Sequence, residues 1–168
     1  MKYKGQRFVI EALSILKKRG FTNFEYQVAG AGDAKYLLKV AQKFHVEDQV
    51  KIIGSIPHDK IFDWFDSIDI YIQPSLTEGL PRAVVEAMSR ALPCAGTCTG
   101  GIPELIDKKY ICKKKRHIAS QIAELIILLS SNDEMQRTAQ QNYEKAKEYS
   151  VNILESKRDK FLEKFAST

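Results

Sequence analysis

Two carboxylates, Glu78 and Glu86, stand on either side of the turn Gly79-Leu80-Pro81. Pro81 falls near the start of a predicted helix, where its missing N–H costs nothing. Leu80, Val84, Ala87, Met88 and Ala91 give that helix an apolar face, and Arg82, Glu86, Ser89 and Arg90 fall on the other side. A helix start offers unpaired backbone N–H groups and a positive dipole end, which suits a diphosphate. Glu86 lies about six residues into the helix, roughly 9 Å from its start at 1.5 Å per residue. Carboxylates accept hydrogen bonds from vicinal diols, each charge-assisted bond contributing about 1.5–3 kcal/mol. The pair could therefore grip the two hydroxyl-rich ends of one nucleotide sugar. Plainer readings exist for each residue alone: Glu86 as the surface partner of Arg82, and Glu78 as a turn residue favoured by the helix dipole.

The elements that must position these groups alternate along the chain. Helical spacing covers residues 6–19, with Gly20 as the stop. An apolar run over 24–29 ends in Gly30-Ala31-Gly32, and helical spacing resumes from Asp33 to Phe44. Strands follow at 50–53, 70–72, 93–96 and 110–112, separated by helices after Pro57, over 80–91 and over 102–106. From Ile118 onward the pattern is helical, with segments at 134–148 and 151–165. This is the pattern of an α/β fold, a doubly wound, Rossmann-like parallel sheet with helices on both faces and a C-terminal helical tail. Such sheets bind ligands at the carboxyl ends of their strands, where Gly30, Gly32, Gly54-Ser55, Pro74-Ser75 and Thr97 to Gly101 collect.

The bulk properties agree with one ordinary domain spanning residues 1–168, with 44% hydrophobic and 28% charged residues. No apolar run approaches the roughly 18–20 residues of a membrane span. The three cysteines, Cys94, Cys98 and Cys112, lack metal-ligand spacing and read as reduced thiols of a cytoplasmic protein. A formal net charge of +5 concentrates in Lys113, Lys114, Lys115 and Arg116. That run reads as a solvated loop, with a peripheral contact to anionic lipid second, and no nucleic-acid motif accompanies it. His45, His58 and His117 read as surface residues, Asp66 and Asp69 as caps, and Trp64 and Phe65 as core or interdomain contacts.

The stretch Pro74-Ser75 through Glu78, Glu86, Ala87 and Met88 resembles the signature of the group 1 retaining glycosyltransferases of the GT-B fold. The resemblance continues through Ala91-Leu92-Pro93 and Gly100-Gly101-Ile102-Pro103-Glu104. Upstream it includes Lys4-Gly5, Glu11-Ala12-Leu13, Val28 to Gly32 and Val50 to Ile56. It implies the GT-B C-terminal half, a donor-binding domain for a UDP- or GDP-linked sugar. The implied reaction is transfer of a hexose, with retained configuration, to a glycan, lipid or polysaccharide precursor. It also implies roles for single residues. Glu86 would bind the ribose hydroxyls and Glu78 the transferred sugar. Lys4 would neutralise the diphosphate, and the backbone at Gly79, Leu80 and Pro81 would meet sugar and phosphates. Backbone near Ile56 would recognise the base, and Gly30 and Gly32 would let the chain pass close to the ligand. No metal and no cofactor beyond the donor substrate are implied.

Departures from the family pattern carry their own expectations. The family's N-terminal acceptor domain and the central strand before Lys4 have no counterpart in these residues, so they are expected to bind donor without completing transfer. The strands near 24–29 and 69–73, which flank that missing strand, are expected either to pair directly or to recruit another chain, including a second copy, across the gap. Ala91 stands where a helix-ending glycine is usual. The competing readings are a nucleotide-sugar epimerase of the same fold, a module that binds nucleotide sugar without transferring it, and a phospho-receiver module. The last would need an acidic cluster where this chain places glycines and serines.

Overall fold

Helix α1 (Gln6–Lys18) buries Val9, Ile10, Ala12, Leu13 and Leu16 at helical spacing, and Gly20 leaves it at φ 87°. The computed structural model to which it belongs describes residues 4–113 and 116–166, so Lys114 and Lys115 of the basic run lie outside the described residues. Strand β1 (Tyr26–Ala29) leads through Gly30 into α2 (Ala34–Phe44), whose start is capped by the Asp33 carboxylate accepting the Tyr36 N–H at 3.0 Å. Then follow β2 (Val50–Gly54), α3 (Ile61–Phe65), β3 (Tyr71–Gln73), α4 (Arg82–Ser89), β4 (Cys94–Thr97), α5 (Ile102–Leu105) and β5 (Ile111–Cys112). Three helices complete the chain: α6 (Ile118–Leu129), α7 (Asn132–Lys147) and α8 (Val151–Ala166). Ala91 adopts φ 58°, the left-handed backbone that favours glycine, so the departure noted at that position is a local strain.

All strand pairings are parallel, as the alternation of strands and helices requires. They do not form one sheet. β1 pairs with β2, and β3, β4 and β5 form a second ladder in sequence order, with no ladder between β1 and β3 among the described residues. The expected direct pairing of those two strands is therefore not what the chain does. A cavity of about 840 Å³ is lined by Leu13 and Leu16 from α1, by Tyr26 and Val28 from β1, and by Tyr71 and Ile72 from β3. A five-residue strand, at about 3.3 Å per residue, 4.8 Å between strands and 10 Å between layers, fills about 800 Å³. The slot thus has the volume of one short strand.

Two helices hold the halves at this separation. α1 packs on α2, which lies against β2, and on α6, which lies against β4 and β5. In α3, the Trp64 indole N–H donates to Gln27 Oε1 of β1 at 2.7 Å, and Phe65 meets Tyr71 of β3 edge-on at 5.8 Å. Sliding β3 onto β1 would break both bridges to gain only three or four residues of ladder.

Further along, Asp66 takes a two-point contact from Arg90 at 2.7 and 2.6 Å, joining the ends of α3 and α4. Glu134 ties α7 to the segment before β5. Lys109 pairs with it, Tyr110 donates to it at 2.6 Å, and Arg137 bonds both of its oxygens at 2.7 Å. α8 buries no residue and exposes Val151, Leu154, Phe161, Leu162 and Phe165.

Fusing an apolar strand-forming segment of five residues ahead of residue 1 should fill the slot. The expected result is slowed amide exchange in β1 and β3 and a thermal midpoint raised by about 2–4 °C for each kcal/mol gained. An unchanged midpoint and unchanged exchange would show that the slot does not take a strand. A second expectation concerns acid. The hydrogen bonds from Lys109 and Tyr110, followed by that from Arg137, outweigh burial and hold the Glu134 carboxyl at about 2. A carboxyl depressed on folding contributes stability above its ordinary range that is lost as pH falls toward its folded value. Glu134→Gln should therefore melt below the wild type at pH 7, with the two melting curves converging as pH falls from about 5 to about 2.

Candidate donor site

The site is the turn between β3 and α4, residues 74–81, and two glycines from other loops press on it. Gly5 has φ 74°, and a Cβ there would overlap the Pro74 carbonyl; Gly100 has φ 54°, and a Cβ there would overlap the Glu78 carbonyl. The neighbouring Gly101 N–H donates to the Gly79 carbonyl at 2.8 Å. The Thr97 hydroxyl at the end of β4 donates to the Ser75 carbonyl. The turn is thus fixed by backbone contacts on two sides, and its side chains are positioned by that.

Glu78 is the most engaged of them. Lys4 Nζ lies 2.8 Å from its Oε2 and 3.2 Å from its Oε1, and Gln73 Nε2 donates to Oε2 at 3.0 Å. The Glu78 side chain is only 15% exposed. Burial pushes its carboxyl up, but the Lys4 charge and the bonds from Lys4, Ser75 and Gln73 together hold it below the ordinary carboxylate range. It is ionised at neutral pH. α4 starts with Pro81 as its N-cap, and no side chain caps it.

A cavity of about 300 Å³ is lined by Lys4, Gln73, Glu78, Pro81, Arg82, Ala83 and Glu86. Four of the residues named from the sequence, Lys4, Glu78, Pro81 and Glu86, line this one space. Glu86 and Lys4 also line the larger slot, whose rim includes Gly30, Gly32 and Ile56. Gly79 and Leu80 line neither cavity; they are exposed, and Leu80 is not part of the apolar face expected of it. No ion pair joins Glu86 to Arg82 among the described residues, so the surface-pair reading of Glu86 has no support.

Three lining residues were not anticipated, Gln73, Arg82 and Ala83, of which the polar two matter here. Arg82 faces the cavity from the first turn of α4, where the sequence placed it only on a polar helix side. Gln73 ends an otherwise apolar strand and is buried, and a polar residue in that position was a readable signal. His45, His58 and His117 are exposed as expected, and Cys94, Cys98 and Cys112 are free thiols. Among the described residues no cluster of three or more His, Cys, Asp or Glu could hold a metal, and no helix is long and apolar enough to cross a membrane.

Comparison with known proteins bears on this geometry. Residues 1–146 match the family of glycosyl transferases group 1. Protein CapJ of Staphylococcus aureus is 39% identical over 115 residues, covering 67% of this chain and 29% of CapJ. The amylovoran biosynthesis glycosyltransferase AmsK of Erwinia amylovora is 42% identical over 111 residues, covering 62% of this chain and 27% of AmsK. The chain thus spans less than a third of the length of these curated relatives. Among solved structures, the C-terminal domain of the group 1 glycosyl transferase LpcC from Francisella tularensis superimposes with a TM-score of 0.76 at 27% identity, over 90% of this chain and 82% of that one. Anabaena HepE in complex with UDP-glucose gives a TM-score of 0.80 at 20% identity, over 100% of this chain and 46% of that one.

The turn's dependence on Gly100 can be tested without any ligand. Gly100→Ala should cost at least about 1–3 kcal/mol from the left-handed backbone alone, with the overlap on the Glu78 carbonyl added to it. Denaturant unfolding measures this, and a loss under 0.5 kcal/mol, about the scale of a neutral surface change, would show that the loop does not press on the turn.

Proposed function

Because the chain belongs to the group 1 glycosyl transferases, we propose that it supplies the donor site of a retaining hexosyltransferase of the GT-B fold, for a UDP- or GDP-linked sugar. The observation that carries this reading is the convergence of Lys4, Glu78 and Glu86 on one cavity at an uncapped helix start. A diphosphate at that start would meet the N–H groups of α4 and the Lys4 ammonium. Glu86, one turn further into the helix, would meet the ribose hydroxyls, and Glu78 those of the hexose. The base would then extend toward Ile56, past the turn that holds Gly30 and Gly32.

The chemistry asked of these groups is charge stabilisation. As the bond to the sugar breaks, negative charge gathers on the leaving diphosphate, where a fixed cation and oriented amides do the most. In the ligand-free chain Lys4 lies against Glu78, so a bound diphosphate would share or take that ammonium. No metal enters this scheme. The AmsK name refers to amylovoran biosynthesis and one HepE complex holds UDP-glucose, which supports a polysaccharide-type acceptor and a nucleotide-sugar donor. The acceptor side, and with it turnover, would come from outside these residues, in a cytoplasmic or membrane-peripheral setting.

Titration calorimetry with UDP, GDP and their hexose conjugates tests the reading. Binding should fall in the micromolar-to-millimolar range, about −4 to −8 kcal/mol. Glu86→Ala should weaken every nucleotide by about 1.5–3 kcal/mol, and Glu78→Ala should weaken the sugar nucleotides more than the bare diphosphates. No binding at millimolar ligand, or equal losses for both ligand types in both variants, would refute it.

A further inference from the structure

The amide of Gln73 sits behind the donor cavity with its bonds fully directed. Its Oε1 accepts the Tyr71 hydroxyl at 2.7 Å, and its Nε2 donates to Ser75 Oγ at 2.9 Å and to Glu78 Oε2 at 3.0 Å. A primary amide carries two N–H donors, so both protons of Nε2 are committed. The ionised Glu78 carboxylate can only accept, so the amide end that faces it is the NH₂ group, and the Tyr71 hydroxyl donates to the oxygen at the other end. The residue is 8% exposed and lies on a strand, so packing and backbone both hold it.

Lys4 and Gln73 hold the same carboxylate oxygen, but they differ in permanence. Lys4 is 36% exposed on its side chain and has a flexible stem, and the proposed diphosphate would compete for it. Among the described residues the Gln73 amide bonds Tyr71, Ser75 and Glu78, and burial on a strand holds it there. We propose that Gln73, together with the buried Ser75 hydroxyl to which it donates, is the positioning residue that holds Glu78 in its hexose-facing rotamer when Lys4 turns to the diphosphate. Anchored through Oε2, the carboxylate keeps its other oxygen for sugar hydroxyls, since an ionised carboxylate offers about four lone-pair sites. Gln73 would thus set the discrimination between a nucleotide sugar and the bare nucleotide without touching either. This rests on the donor-site reading above.

Two variants of the 168-residue chain test it. Gln73→Met keeps the volume and removes the donor; Gln73→Glu keeps the shape and can donate to Glu78 only when protonated. Affinities are measured for UDP-glucose against UDP and for GDP-mannose against GDP. In Gln73→Met the sugar-nucleotide affinity should fall about tenfold while the bare nucleotide changes less than about twofold, the scale of losing one hydrogen bond to a charged group. In Gln73→Glu two carboxylates about 3 Å apart cannot both ionise freely. The discrimination should therefore be poor at pH 8 and recover as pH falls toward 6, whereas the wild type should change little over that range. A role confined to packing would give no such pH dependence. A ligand-free arm follows the Glu78 carboxyl carbon by NMR, whose titration midpoint should rise in Gln73→Met. If the wild type binds no nucleotide but the Glu78 midpoint rises, the donor reading fails and the anchoring of Glu78 stands. If the wild type discriminates and both variants keep its ratio at every pH, or the midpoint stays where it was, the positioning role is overturned. Should Gln73→Met fail to fold, Gln73→Glu carries both arms.

Discussion

The β3–α4 turn is held by backbone pressing on backbone, and the rest of the site depends on that closeness. At Gly5 and Gly100 a single added carbon would overlap the carbonyls of Pro74 and Glu78. One of these glycines begins α1 and the other leads into α5, so the turn is referenced to both ends of the described core. Side chains could not do this as well, because a rotamer-rich contact gives way by a few tenths of an ångström where a peptide plane does not. The consequence is electrostatic. With the turn fixed, Glu78 can be held at 2.8 Å from Lys4 and 3.0 Å from Gln73, of which Gln73 is the buried and more permanent partner.

That precision coexists with a sheet that is not continuous. The two ladders meet across a slot, and the helices α1 and α3 act as struts between them. Lys4, at the entrance to α1, reaches across to Glu78, so the strut carries one of the charges of the site. Anything that changed the spacing of the two ladders would move α1 relative to β3 and lengthen the Lys4–Glu78 contact. The slot and the donor cavity also share lining, with Lys4, Gln73, Ala83 and Glu86 on both. Filling one would therefore be felt in the other through common walls, without any displacement of the turn.

Much of this was legible in the residue order, for reasons that can be stated. Helix and strand periods placed the elements because each one buries a single face, as α1 does with Val9, Leu13 and Leu16. The glutamates have plain surface and turn readings when taken singly, and were found because the stretch around them resembles a family signature; the glycines gather at strand ends, where such sheets bind ligands. What was not legible depends on partners far apart in sequence. The Asp66–Arg90 contact, the Trp64–Gln27 bond and the meeting of Glu134 with Tyr110 have no periodic signature. The separation of the two ladders also depends on distant partners: a count of ladder bonds favours direct pairing of β1 and β3, whereas the packing of α1 on both α2 and α6 holds them apart. Gln73 was readable in principle, as a polar residue ending a buried strand, but its use required knowing where Glu78 returns in space.

The charge arrangement also bears on the stability of the cavity. Two carboxylates lining a cavity would ordinarily destabilise each other, and a bare cation beside a helix start would be unfavourable against the dipole. Here Lys4 lies against Glu78, while Glu86 remains half-exposed where water screens it. On the proposed reading, a diphosphate would bring negative charge to Lys4 and Arg82 at the start of α4. Glu78 would then stay balanced only if other donors remain on its carboxylate as Lys4 is drawn away. Gln73 and Ser75, both buried and bonded to each other, are the donors whose geometry lets them remain.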